Sequence, residues 1–182
     1  ALLAVGSILE EVPMNGLSIH AGLHFGTIVS TRGDIFGDAV NLTARLAARR
    51  MIPRRSGVIM TVTAQHSRMG IPLVGGYGPA QALKESLTRH LSAELAPHGL
   101  RVVGLRPAGM PESGTIKDAF EPRRELTGMT WEQFQEFLAS RTHPKRLMTL
   151  AEMANAAAFL ASDRATGLTG TTVNLTLGAL DD

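Results

Sequence analysis

The chain has 182 residues, 44% hydrophobic and 19% charged, a balance that suits one packed domain or two small ones sharing a core and excludes a disordered chain. It has no cysteine, which removes disulfides, cysteine-ligated zinc, iron–sulfur clusters and thiol catalysis. Eighteen basic against sixteen acidic residues leave a net charge of +2, and one Trp with one Tyr makes no stacking platform, so no nucleic-acid partner is expected. No apolar run reaches the ~18 residues of a bilayer helix, and Ala1 opens no signal-peptide layout, so a cytoplasmic α/β protein with no membrane partner is the expectation.

In chain order, the apolar stretch Ala1 to Val12 reads as a helix closed by Pro13 and the Asn15-Gly16 pair. Two short β-like runs follow, Leu17 to Gly22 and Gly26 to Ser30, expected to form a hairpin. After a Thr31-Arg32-Gly33-Asp34 turn, Asp38 is the N-cap of a helix to about Met51, ended by Pro53. From Ser56 strands and helices alternate. The run Gly57 to Thr63 is continuous and β-branched, as for a strand buried on both faces. After Pro79, residues Ala80, Leu83, Leu87, Leu91 and Leu95 recur at helical spacing and predict the buried face of a helix stopped by Pro97-His98-Gly99. Arg101 to Arg106 is a short strand, then comes an irregular span around Trp131 and Phe134. A helix from about Leu150 to Ala161 turns Met153, Ala156, Ala157 and Leu160 inward, and Thr172 to Thr176 is the last strand. This order predicts a three-layer α/β fold on a mostly parallel sheet.

Two motifs carry chemistry near the start. Ile19 to Gly26 and Gly33 to Leu46 resemble class III adenylate/guanylate cyclases over roughly residues 1–48. By that resemblance Asp34 reads a purine, Asn41 contacts the ribose and Arg45 clamps the transferring phosphate. Asn41 and Arg45 are four apart and share a helix face, and an Arg fork neutralises phosphoryl charge. The plain alternatives are a turn residue for Asp34 and a solvated helix face for the other two. The family's metal-binding aspartates are not matched, so no metal is expected. His20 and His24 fall in a predicted strand and turn, where an i, i+4 pair does not converge on an ion.

From about Met51 to the end, the chain resembles the C-terminal half of a short-chain dehydrogenase/reductase. The resemblance rests on Ser56 to Val62, Gly76 to Leu87, Leu91 to Val102, Arg106-Pro107-Ala108-Gly109, Glu152 to Asp163 and Thr169-Gly170-Thr171. It implies a Rossmann-like half sheet and an NAD(P)-dependent oxidoreductase in which a Tyr donates a proton, a Lys four residues later lowers its pKa, and a Ser polarises the carbonyl. Tyr77 takes the tyrosine position. The lysine position holds Gln81, which is neutral, and the serine position holds Ala64. Lys84 lies seven residues after Tyr77 and so points elsewhere on a helix. Pro107 and Gly109 are cofactor contacts by the same resemblance. No glycine fingerprint for a pyrophosphate follows a strand near the N-terminus, and Gly75-Gly76-Tyr77-Gly78 lacks its spacing, so the dinucleotide-binding half is expected to be missing and no cofactor bound.

The chain therefore reads as a chimera: residues 1–48 a cyclase-like β-hairpin and helix, residues 49–182 a dehydrogenase half. Its expected function is that of an oxidoreductase fragment inactive by itself. The alternatives are a cyclase-like nucleotide-binding module and a folded chimera without enzymatic role. Helices 38–51 and 79–96 are the expected interface of a homodimer or higher oligomer. Arg45, Arg49, Arg50, Arg54 and Arg55 suit either a phosphate or nucleic-acid contact or, as the plainer reading, a helix end that complements the helix dipole and a solubilising loop.

Overall fold

The computed structural model describes residues 8–14, 17–23, 30–31, 34–35, 38–72 and 75–181. They fall into two units, 1–57 and 58–182, each taken by itself.

In the first unit, β1 (Ile8–Met14) pairs antiparallel with β2 (Leu17–Leu23), in a register running from Ile8 opposite Leu23 to Met14 opposite Leu17. The expected helix over 1–12 is thus a strand where it is described. An Asn-Gly pair flanked by hydrophobic runs is a two-residue hairpin signal, and it joins two strands here instead of ending a helix. The expected partner of β2, residues 26–30, lies outside the described residues except for Ser30, as does His24, and β2 is paired with β1. The two-residue strands β3 (Ser30–Thr31) and β4 (Asp34–Ile35) pair antiparallel, so Asp34 is the first residue of β4. Helix α1 (Asp38–Met51) carries Arg49 and Arg50 in its last turn, where cations meet the negative end of the dipole. A 3-10 turn at Ile52–Arg54 with Pro in its first positions stops it, and the five arginines of the basic run are exposed.

The second unit is built on a three-stranded sheet. Its strand order is β5 (Gly57–Val62), β6 (Leu100–Pro107), β7 (Thr172–Leu175), with β6 and β7 parallel. The central strand β6 is buried along almost all its length. The edge strand β5 is not buried on both faces as its composition suggested: Thr61 is inside, whereas Met60 and Val62 are exposed. Val58, on the same side as Met60 and Val62, packs against the core around Val103 and Leu105, so that face is covered only near the start of the strand.

Helix α2 (Tyr77–Leu95) departs from its expected orientation. Of the predicted apolar face only Leu91 and Leu95 are buried, and Leu83 is 42% exposed. The covered stripe is Gly78, Gln81, Glu85, Thr88 and Ser92. Helical periodicity was real, but the sheet takes the polar side, because β5 and β6 offer hydrogen-bonding partners there. A short 3-10 turn and Gly99, at φ 81°, lead from α2 into β6.

The span expected to be irregular holds two helices, α3 (Gly114–Thr127) and α4 (Trp131–Ser140). Pro122 inside α3 and its charged surface blur the period, while Thr130 and Gln133 cap α4 reciprocally. Phe120, Trp131 and Phe134 pack as an aromatic cluster, with the Phe120 and Trp131 rings edge to face at 5.2 Å. Helix α5 (Leu150–Ala161) has a second reciprocal cap from Thr149 and Glu152. Leu160 joins Val103, Leu105 and Ala165 in the apolar core, with Met153, Ala156 and Ala157 against it. Arg101 caps the far end of α5 by donating to Leu160 O at 2.8 Å and Ser162 O at 2.9 Å. Among the described residues no helix is long and apolar enough to cross a membrane, and no three His, Asp or Glu side chains are grouped to hold a metal.

Candidate functional site

The segments that carry the motif positions meet at the carboxyl ends of β5 and β6. Thr63 N donates to Leu105 O at 2.8 Å, extending the sheet one residue past Val62. Ala64 is extended and is followed by a 3-10 turn over Gln65–Ser67. This turn and the start of α2 are in close contact. A Cβ built on Gly78 would lie 2.9 Å from His66 O, so only glycine allows the approach, and the His66 ring meets Tyr77 edge to face at 5.2 Å.

Tyr77 is the first residue of α2 and is 39% exposed. Burial raises its phenol above the ordinary 10.0, so it is a neutral hydroxyl at physiological pH. One turn on, at the position that would need an ammonium to oppose this, stands Gln81. It is 6% exposed, and among the described residues its Oε1 has no hydrogen-bond partner. Lys84 does not substitute: its Nζ donates to Val62 O at 3.3 Å, and burial lowers its pKa. Ala64 brings no hydroxyl. The Thr63 hydroxyl beside it bonds to Glu85 at 3.2 Å and to Leu105 O at 3.3 Å.

Glu85 is the residue that sequence reasoning missed. Its carboxylate accepts from Arg106 Nε at 2.7 Å and from a second Arg106 nitrogen at 2.9 Å, as well as from the hydroxyls of Ser67 and Thr63. Arg106 is 1% exposed. Burial alone would push the Glu85 carboxyl up, but the bonds from Arg106, Ser67 and Thr63, with the Arg106 charge, outweigh it and hold the group below the usual carboxylate range. One carboxylate thereby ties together the end of β5, the Ser67 turn, α2 and the end of β6. The signal was present: Glu85 is one turn beyond Gln81, and Arg106 is a charge inside an apolar strand.

Pro107 closes β6 and Gly109 follows two residues later. A Cβ on Gly109 would lie 2.6 Å from Ile116 Cδ1, so the loop is drawn tightly onto α3. Asp34, Asn41 and Arg45 belong to the other unit: Asp34 in β4, Asn41 and Arg45 in α1, with Arg45 exposed.

The model of a family described as enoyl-(acyl carrier protein) reductase matches residues 34–179, four fifths of the chain. The chain belongs to the short-chain dehydrogenase/reductase family. Among its relatives is (+)-borneol dehydrogenase 2 of Salvia officinalis, 33% identical over 138 residues, which cover 75% of this chain and 48% of that one. Another, named inactive 2-(S)-hydroxypropyl-CoM dehydrogenase 2, of Xanthobacter autotrophicus, is 31% identical over 167 residues, 87% of this chain and 70% of the relative. In fold, sorbitol-6-phosphate 2-dehydrogenase of Erwinia amylovora aligns with a TM-score of 0.75 at 21% identity, over 98% of this chain and 67% of that one. The chain spans about half the length of the first curated relatives it matches. The matched family span takes in Asp34, Asn41 and Arg45, and nothing in these comparisons supports the cyclase-like reading of residues 1–48.

Proposed function

We propose that this chain is a dehydrogenase-family fragment that by itself transfers no hydride at its tyrosine site. The carrying observation is the neutral Gln81 carboxamide one turn from Tyr77, where the family's reaction needs a cation. A phenol already raised by burial, with no ammonium beside it, is a poor acid–base relay, because nothing stabilises the phenolate it would become. With Ala64 in the serine position no hydroxyl polarises a carbonyl. These residues do not fit the proton relay that accompanies nicotinamide chemistry, so no hydride step is derived for this chain. The relative named as inactive is a precedent inside the family for loss of turnover.

Tyr77 is the only tyrosine in the chain, so an absorbance titration of tyrosinate reports on it alone. The expected midpoint lies above 10.0 in the native chain and falls in Q81K, with no oxidation of NADH or NADPH in the presence of carbonyl compounds. A native midpoint well below 10.0, or steady turnover, would overturn the reading.

The same reading includes a homo-oligomer formed through helices 38–51 and 79–96. Leu46 on the first is 49% exposed and Leu83 on the second is 42% exposed, so each helix offers an apolar side chain that a second copy could cover. Sedimentation should show association that L46E and L83E weaken; a monomer at high concentration would refute it.

A further inference from the structure

The second unit leaves one side of its sheet unfinished. In the order β5-β6-β7, β5 lies at the edge, and among the described residues no strand pairs with its outer side. Backbone groups alternate sides along a strand, and Thr63 N turns inward to Leu105 O, so those of Met60 and Val62 turn outward. The Val62 carbonyl is met there by Lys84 Nζ at 3.3 Å, a side chain standing where a strand would. The side chains of the same two residues are also bare. Val58 packs against the Leu105 and Leu160 core, whereas Met60 is 37% and Val62 49% exposed, so the apolar face of β5 runs out from under its cover. An open edge and a bare apolar face on one strand are each a liability, commonly closed by a paired strand or a covering helix.

We infer that the outer edge of β5, with Met60 and Val62, is a docking surface for a strand–helix segment of the dehydrogenase half that this chain does not match. In the first curated relatives about as much polypeptide again accompanies the matched stretch. A strand that joins a sheet in parallel brings a helix across one face, because its crossover is too long for a hairpin. One such unit meets both needs: its strand takes the free backbone groups of Met60 and Val62, and its helix lies over their side chains. A second copy does not. Two β5 edges paired about a twofold axis continue the sheet but lay no helix over Met60 and Val62. This inference rests on the fragment reading above and is indifferent to the chemistry of Tyr77.

The test uses the full chain and, as a separate polypeptide, the half of the Salvia officinalis relative that lies outside the matched stretch. Amide exchange is followed by NMR at Met60, Val62 and Thr63. In the chain by itself, Met60 and Val62 should exchange about tenfold faster than Thr63, whose amide bonds Leu105 O. Adding the half should slow Met60 and Val62 about tenfold and raise the melting temperature, and M60E/V62E should abolish both effects. Both side chains are exposed, so without the added half M60E/V62E should melt where the native chain does. The proposal is overturned if the half protects neither amide, or if its effect survives in M60E/V62E. It is overturned as well if the two amides are protected without the half. Protection at every concentration would mean that the chain covers its own edge, and protection only at high concentration that a second copy does. Oxidation of NADPH by the mixture would sink the reading of Tyr77 and leave this one standing.

Discussion

The two faces of β6 are held by different physics. Toward α5 the strand presents Val103 and Leu105, which join Leu160 and Ala165 in a hydrocarbon core. Toward α2 it presents Arg106, and the opposing groups are Glu85, Thr63 and Ser67, with a Thr61–Thr88 hydroxyl pair at 2.6 Å nearby. Alternation along a single strand separates the two environments. The α5 side depends on contact area and shape and is indifferent to pH. The α2 side depends on each charge having its partner, so removing one group is worse than removing two.

The sharpest way to break this comparison is Glu85→Ala. It leaves the Arg106 guanidinium buried without its carboxylate, an effect expected to cost about 3–5 kcal/mol. The double variant E85L/R106M, which removes both charges and keeps volume, should recover most of that stability. Urea denaturation of E85L, R106M and the double decides it. Additive losses would mean that the pair is not the unit of stability. On the other face, Leu160→Ala should cost about 2–5 kcal/mol through the cavity it leaves, with no dependence on pH between 5 and 8.

How far the sequence revealed these faces follows from what each residue pattern encodes. The α5 face was legible, since Met153, Ala156, Ala157 and Leu160 mark one side of a helix and hydrophobic side chains announce burial. The α2 face was not. Leu83 and Leu87 lie at helical spacing with Leu91 and Leu95, and periodicity reports a stripe without saying which neighbour covers it. Nothing local to Glu85 shows that an arginine 21 residues away will neutralise it. The expected triad positions Ala64, Tyr77 and Gln81 come from fixed spacing within the resembling stretches. The packing of Gly78 against His66 O, which places Tyr77 at the first residue of α2, was not legible. The hairpin was misread for a related reason: apolar content at Ile8 to Val12 suits a helix or a strand, and only pairing with Leu17–Leu23 decides between them.

Acid sharpens the contrast at a smaller scale. The folded-state pKa of Glu85 is depressed, so its contribution is present above the unfolded value and is lost as pH falls through the folded one. Glu152, lowered from 4.5 to about 2 first by its hydrogen bond from Arg146 and then by the backbone of Thr149, follows the same sign between those two values. The native chain should therefore lose stability progressively on acidification below 4.5, and E85L/R106M should lose less. Carboxyl chemical shifts assign the two titrations separately. A Glu152 midpoint near 4.5 would mean that its surface pair with Arg146 is not held in solution.

The smallest effect is at Gln81, where the polar face is incomplete. Its Oε1 is buried without a hydrogen-bond partner among the described residues, and an unmet buried acceptor costs about 1–3 kcal/mol. Replacing it by Leu removes that penalty at similar volume. Q81L should then be neutral, or more stable by up to about 1 kcal/mol, in chemical denaturation. This is the opposite sign to Glu85→Ala one turn away on the same face, and that opposition is the point. Glu85 is held by several partners, whereas the Gln81 Oε1 has none among the described residues. If Q81L is destabilised by more than about 1 kcal/mol, the amide is satisfied in the native state, by ordered water or a bound hydroxyl. Gln81 would then be a structural member of the α2 network, and the difference between the two residues would vanish.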